Sequence, residues 1–405
     1  MRILQINQTY NIGSTGKIMN DINNVVSNSG NESYMLCAYS NNKVDNLFIS
    51  NPGNYWLKVR QNILISRITG KMGYRSHKQT ISMVDWIKSI NPDLIHLHII
   101  HGNWINLELL FKFLRDYNRP VVWTLHDCWA FTGRCSHFEN YGCDRWKTGC
   151  YDCGNKKVFP VTYFFDHSKQ MWKDKLDLFT SLPNMTIVTP SEWLAKYVKQ
   201  SFLGKYPVHV IHNGININNF CIQTAKSSYL KVANGKKIIL GVASSWTKWK
   251  GIEDIYLLNK MIDKDRYVIA LVGLNSRQLK EAPQDIIAIG RTNNIKELAE
   301  IYSEAAVFIN PTYQDNYPTV NLESIACGTP VITYKTGGSI ESVTSSVGCV
   351  VKQGDVKGLY DSIIELTEHR NISKEDCRKY ALENFDMNLI NSKYLNLYKT
   401  ILGND

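Results

Sequence analysis

Short apolar runs recur along this chain and alternate with longer segments of helical period. In the first half they are "RILQI", "SYMLC", "DLIHLH", "VVWTLH", "MTIVT" and "VHVIH". In the second half come "KIILGV", "YVIALVG", "IIAIG", "AAVFIN", "PVITY" and "GCVV". Runs that are apolar at consecutive positions, rather than at every second one, predict strands covered on both faces. With helices between them, they predict parallel sheets. Two such sets in succession predict an α/β protein with two doubly wound, Rossmann-like domains. The turn-rich "HNGININNF" at 212–220 marks the boundary, giving domains over 1–213 and 214–385. The tail over 386–405 reads as a helix with Ile390, Tyr394, Leu395 and Tyr398 on one face.

Composition narrows this picture. A chain of 405 residues exceeds the usual size of one core, and 44% hydrophobic with 20% charged residues is a globular balance. No run approaches the roughly eighteen apolar residues that span a bilayer. The opening "MRILQINQTY" has neither an apolar core nor a small-residue cleavage site, so a cytoplasmic location is expected.

The net charge of +10 is uneven. Residues 51–80 carry Lys58, Arg60, Arg67, Lys71, Arg75 and Lys78 without one Asp or Glu, interleaved with Trp56, Ile63, Leu64, Ile65 and Ile68. Two readings stand: a basic amphipathic helix on an anionic membrane surface, or a solvated face packed on its domain. Nucleic acid is not expected as a partner, because no recognition helix, RRM, KH or zinc-finger pattern accompanies the charge.

Five of the ten cysteines crowd into "CWAFTGRCSHFENYGCDRWKTGCYDC" at 128–153. In a reducing compartment, Cys135, Cys143, Cys150 and Cys153 predict four thiolates around a structural zinc with no open position. Free thiols and redox chemistry are the alternatives.

In open parallel sheets, ligands bind beyond the carboxyl ends of the strands, so two facing domains would share an interdomain cleft. After the first strand, "NIGSTGKI" offers a Gly-rich turn at Gly13 and Gly16, with Lys17 beginning a helix whose amides would suit an anion. It is neither a P-loop nor a dinucleotide fingerprint. His126 follows "VVWTL", where an imidazole in a cleft can exchange a proton near neutral pH, though on the residue alone a histidine bonded to a neighbouring carbonyl is the preferred reading. In "GVASSWTKWKGIEDI", Lys250 stands at a helix start where it would neutralise a phosphate, with Lys248 as the fallback. The segment "PTYQDNYPTVNLESIACGTPVI" at 311–332 sets Asp315 on a loop, Pro318 at a helix start, Glu323 within the helix and Gly328 after it. Acceptor, free amides and acceptor then lie in a line that fits a nucleotide-sugar.

These residues resemble a retaining glycosyltransferase of family 4, with the GT-B fold, through "GSTGKI", "TLHDCWAFTGRC", "TPSEWLA", "VIHNGI", "WKG" and "YQDNYPTVNLESIACGTPVI". The cysteine-rich insert resembles the branch that builds bacterial polysaccharides, including colanic-acid-type enzymes. The resemblance implies a C-terminal helix crossing back onto the first domain. It also implies that Glu323 binds ribose, Asp315 contacts the donor hexose and Lys250 holds the diphosphate. His126 would then touch the sugar near the reacting carbon, and Gly16 would approach the phosphates or acceptor. Backbone around Arg291 and Thr292 would contact the base. Three departures go with it: Asp315 where the family has Glu, Ser245 where it has Arg, and Pro318, which leaves anion contacts to the amides of Thr319 and Val320.

The implied activity is hexosyl transfer from a nucleoside-diphosphate sugar to a glycan or lipid-linked oligosaccharide in surface-polysaccharide synthesis, with no cofactor needed for catalysis. A sugar-nucleotide epimerase and a non-catalytic scaffold or regulatory partner are the competing expectations.

Overall fold

The computed structural model describes residues 1–41, 44–50, 56–154, 156, 159–370 and 372–403. Residues 51–55 of the basic stretch lie outside them. Two compact units emerge, Met1–His212 with Asn391–Asp405, and Asn213–Ile390.

The first unit holds seven strands: β1 Arg2–Tyr10, β2 Glu32–Ser40, β3 Leu47–Ile49, β4 Leu94–Leu97, β5 Val121–Thr124, β6 Met185–Thr189 and β7 Val208–Val210. They pair in the order β3-β2-β1-β4-β5-β6-β7, all parallel. The order reverses between β1 and β4. Strands β4 and β5 are buried at every position, as a sheet with both faces covered requires. The edge strand β3 was not predicted: its apolar run, Leu47-Phe48-Ile49, is only three residues long, and all three are half-buried.

The second unit contains β8 Lys237–Val242, β9 Tyr267–Val272, β10 Ile286–Ile289, β11 Val307–Asn310, β12 Val331–Tyr334 and β13 Gly348–Val351. Their order is β10-β9-β8-β11-β12-β13, again parallel, and the reversal falls between β8 and β11. All six correspond to runs read from the sequence.

The C-terminal helix Met387–Leu402 ends in the first unit. There Tyr398 Oη lies 2.6 Å from His96 Nδ1, and Tyr394 Oη lies 3.2 Å from Thr124 Oγ1, all four side chains buried. A buried polar group without a partner costs about 1–3 kcal/mol, so these paired contacts fix the helix in one register.

Candidate active site

In the second unit the reversal point brings two loops together. The loop after β8 turns through a 3₁₀ segment, Lys248–Lys250, into the helix Ile252–Asn259. The loop after β11 runs from Pro311 to Pro318. Tyr313 N donates to Trp249 O at 2.8 Å, and Thr312 Oγ1 donates to the same carbonyl at 3.3 Å. The Tyr313 phenol donates to Asp254 at 2.7 Å, which anchors the second loop to the helix that follows the first. Gly251 adopts φ +74°, and a Cβ there would lie 2.1 Å from Pro311 O. Only glycine allows that approach.

This stitching sets Lys250 Nζ 2.6 Å from Asp315 Oδ2, with the side chains 34% and 17% exposed. An ion pair this accessible can exchange partners, because water and an incoming anion both reach it.

The helix Thr319–Ala326 follows, and among the described residues no side chain caps its start. Its first amides, at Thr319 and Val320, are therefore free to meet an anion. Buried Asn321 pins it: its Oδ1 accepts from Asn310 at 2.9 Å, and its Nδ2 donates to Ser339 Oγ and Ser342 Oγ, each at 3.2 Å. Glu323 accepts from the Tyr302 phenol at 3.1 Å. Tyr302 was not singled out from the sequence, where nothing separates it from an ordinary helix aromatic. Ser245 and Arg291 are exposed, and Thr292 is half-buried.

In the first unit the helix Gly13–Asn28 begins at Gly13, four residues before the predicted start at Lys17. No described side chain caps it either. Gly16 is buried, and a Cβ there would lie 2.9 Å from Thr9 Oγ1.

His126 belongs to a cluster that the sequence reading saw only in part. His98 Nδ1 lies 3.2 Å from His126 Nε2, His98 Nε2 lies 3.2 Å from Gln5 Oε1, and His101 Nε2 lies 3.1 Å from Asp127 Oδ2. The signal was present as "HLHIIH" at the end of β4. Burial lowers His126 to about 4 and His96 to about 3, and holds His98 well below its usual value. For Asp127, burial works upward, but His101 and the Trp129 amide outweigh it and hold the carboxyl at about 2. Burial thus favours the neutral imidazole of His126 at pH 7.

Unfolded imidazoles bind protons below about pH 6.5, whereas in the fold His126 does so only near 4. The unfolded chain therefore gains protons first, and stability is lost as pH falls from about 6.5 toward 4. The first unit is expected to lose roughly 5–10 °C in unfolding temperature across that interval. His98→Gln should flatten the slope; a temperature constant over the interval would show the imidazoles already charged.

Cys135, Cys143, Cys150 and Cys153 line one cavity of about 360 Å³. Among the described residues, however, no group of three or more His, Cys, Asp or Glu is arranged to hold a metal ion. Burial pushes the Cys135 thiol up to about 11 and that of Cys150 to about 12.

The family profile "Glycosyltransferase Family 4" matches residues 50–219, and "Glycosyl transferases group 1" matches residues 226–384. The chain belongs to the family 4 glycosyltransferases. This family 4 glycosyltransferase is 26% identical over 277 residues to the putative colanic acid biosynthesis glycosyl transferase WcaC of Escherichia coli, covering 66% of each chain. It is 25% identical over 204 residues to the capsular polysaccharide biosynthesis glycosyltransferase CapM of Staphylococcus aureus, covering 47% of this chain and 53% of CapM. Among solved structures it is similar to sucrose-phosphate synthase of Thermosynechococcus elongatus, at TM-score 0.72 and 15% identity with both chains fully covered. It is also similar to Anabaena HepE in complex with UDP, at TM-score 0.66 and 15% identity over 99% of this chain and all of that one. The fold is GT-B.

Proposed function

We propose that the chain transfers a hexosyl unit, with retention, from a nucleoside-diphosphate sugar to a glycan or lipid-linked oligosaccharide in bacterial surface-polysaccharide assembly. The observation that carries this reading is the Lys250–Asp315 pair at the β8/β11 reversal point, beside the uncapped start of the helix Thr319–Ala326.

In this reading the donor diphosphate displaces Asp315 from Lys250 and takes the free amides of Thr319 and Val320. Asp315, released, accepts from a hydroxyl of the hexose. Glu323, already oriented by Tyr302, accepts from the ribose. As the anomeric C–O bond breaks, charge grows on the departing diphosphate, and Lys250 and the helix start stabilise it as it forms. The acceptor oxygen bonds to the anomeric carbon from the face of departure, and its proton passes to the leaving phosphate. Neutral His126 hydrogen-bonds the sugar without gaining charge. Ser245, where the family has Arg, supplies no second cation, so Lys250 carries a larger share of the stabilisation.

Support for the polysaccharide context comes from the relatives named for colanic acid and capsule synthesis. A Campylobacter jejuni relative, 25% identical over 224 residues, is named for transfer to a diphospho-undecaprenol-linked sugar.

A panel of nucleotide-sugars tested by thermal shift, followed by product analysis with the one that binds, tests the proposal. One donor at about 100 times its Kd is expected to add about 2.7 kcal/mol of stability and to yield a glycosylated product of unchanged anomeric configuration. Binding without transfer to any acceptor would favour the scaffold reading. Conversion of the free donor to its C2 epimer would favour the epimerase.

A further inference from the structure

An aromatic run at 159–165 in the first unit is exposed: Phe159, Tyr163, Phe164 and Phe165 each show more than half their surface, Phe164 as much as 65%. Large rings are ordinarily buried, and a contiguous exposed set marks an interaction surface. The run is held in place rather than loose. Thr162 N donates to Lys156 O at 2.9 Å, Lys156 Nζ donates to Phe164 O at 3.0 Å, and Thr162 Oγ1 donates to Phe165 O at 3.0 Å.

Beside it lies the helix Trp56–Thr69 of the basic stretch. Tyr163 N donates to Arg67 O at 2.7 Å, and the Arg67 guanidinium donates to the Tyr163 phenol at 3.3 Å. The apolar and polar positions of this helix do not separate onto opposite faces, which corrects the amphipathic expectation. Instead Arg60, Leu64, Arg67 and Ile68, spaced three and four apart, are all exposed, with Leu64 at 54%. Basic and apolar groups share one outward face.

Where the helix ends, a recess of about 520 Å³ is lined by Lys71, Arg75, His77 and Lys78 among others, with no Asp or Glu among its described lining residues. The Asp174 carboxylate, reached by the Tyr74 phenol, is also engaged by the Gln170 amide. At the other end of the run, the Phe159 ring stands edge-on to His101 at 6.1 Å, and His101 pairs with Asp127 next to His126.

Exposed rings alone would suit a protein partner as well as a lipid. The exposed cations of the helix and the recess, beside the already engaged Asp174 carboxylate, select an anionic one. Rings and guanidinium groups on one face match the bilayer interface, where aromatics sit at headgroup depth and basic side chains reach phosphates. Among the described residues no helix is long and apolar enough to cross a membrane, so contact would be from one side.

We propose that this face docks the chain on an anionic lipid bilayer, with Phe164 and Phe165 seated among the headgroups and the Lys71–Arg75–Lys78 recess taking a lipid phosphate. Its purpose rests on the transferase reading above, since a lipid-linked acceptor resides in that bilayer and the face adjoins the His101–His126 cluster. The docking itself is independent of that reading.

The experiment is flotation of the full chain with vesicles of equimolar phosphatidylglycerol and phosphatidylcholine, and with phosphatidylcholine alone. The chain is expected to float with the anionic vesicles and not with the neutral ones. The F164S/F165S double variant and the R67E/K71E double variant should each lower the floated fraction roughly tenfold, while unfolding temperature and nucleotide-sugar binding stay as in the parent. Added salt should weaken the parent and leave R67E/K71E little changed. A parent that remains at the bottom of the gradient, or variants that float equally well, would overturn the proposal. So would a parent that sediments as a dimer and becomes monomeric in F164S/F165S, because the face would then be a contact between copies. Flotation without nucleotide-sugar binding would instead defeat the transferase reading and leave the docking intact.

Discussion

Lys250→Ala is expected to lower kcat by about 10²-fold or more at saturating donor, a barrier increase of about 2.7 kcal/mol, with a smaller change in KM. The asymmetry comes from what the lysine meets at each stage. In the free chain it is paired with Asp315, so ground-state binding of the donor exchanges one anion for another and gains little. In the transition state the diphosphate carries more charge than in the donor, and no carboxylate can take its place. Folding does not account for the loss, since a pair this exposed contributes roughly 0–1 kcal/mol of stability. Asp315→Asn is the companion: it frees the lysine while keeping a hydrogen-bonding group, so its loss in kcat should be several-fold less. Lys250→Arg keeps the charge but spreads it over a planar fork, and only partial rescue is expected. Turnover unchanged in Lys250→Ala would remove the lysine from the mechanism.

The two sheets were legible because short runs of consecutive apolar residues, alternating with longer segments of helical period, fit strands buried on both faces. "AAVFIN" and "PVITY" leave no room for a polar side. The helix Thr319–Ala326 was legible for a local reason as well: Pro318 starts it, and Gly328, at φ +84°, lets the chain leave it. What the pattern does not carry is strand order. Lys250 and Asp315 lie 65 residues apart, and they meet only because β11 inserts beside β8. Likewise His98, His101 and His126 come together because β4 and β5 are neighbours. Each imidazole alone reads as a core histidine. At the cysteine cluster, spacing predicted that Cys135, Cys143, Cys150 and Cys153 come together, and the four line one cavity.

Gly251→Ala is expected to cost about 3 kcal/mol of stability in the second unit and to reduce transfer at least as much as Lys250→Ala. A methyl group placed 2.1 Å from Pro311 O cannot be accommodated by rotating a side chain, because the obstacle is backbone. Either the turn at Lys248–Lys250 or the strand end at Pro311 must move by more than an ångström, and φ +74° is unfavourable for alanine in any case. Movement of either loop breaks the Tyr313 N to Trp249 O bond, and with it the separation that lets Lys250 meet Asp315. The prediction separates strain from chemistry through a control at Gly235, which has φ +81° but open space around its Cβ. Gly235→Ala bears only the conformational cost, about 1 kcal/mol, and should leave turnover unchanged. If Gly251→Ala behaved like Gly235→Ala in both unfolding temperature and kcat, the two loops would not be in contact, and the proposed diphosphate site would lose the geometry on which it depends.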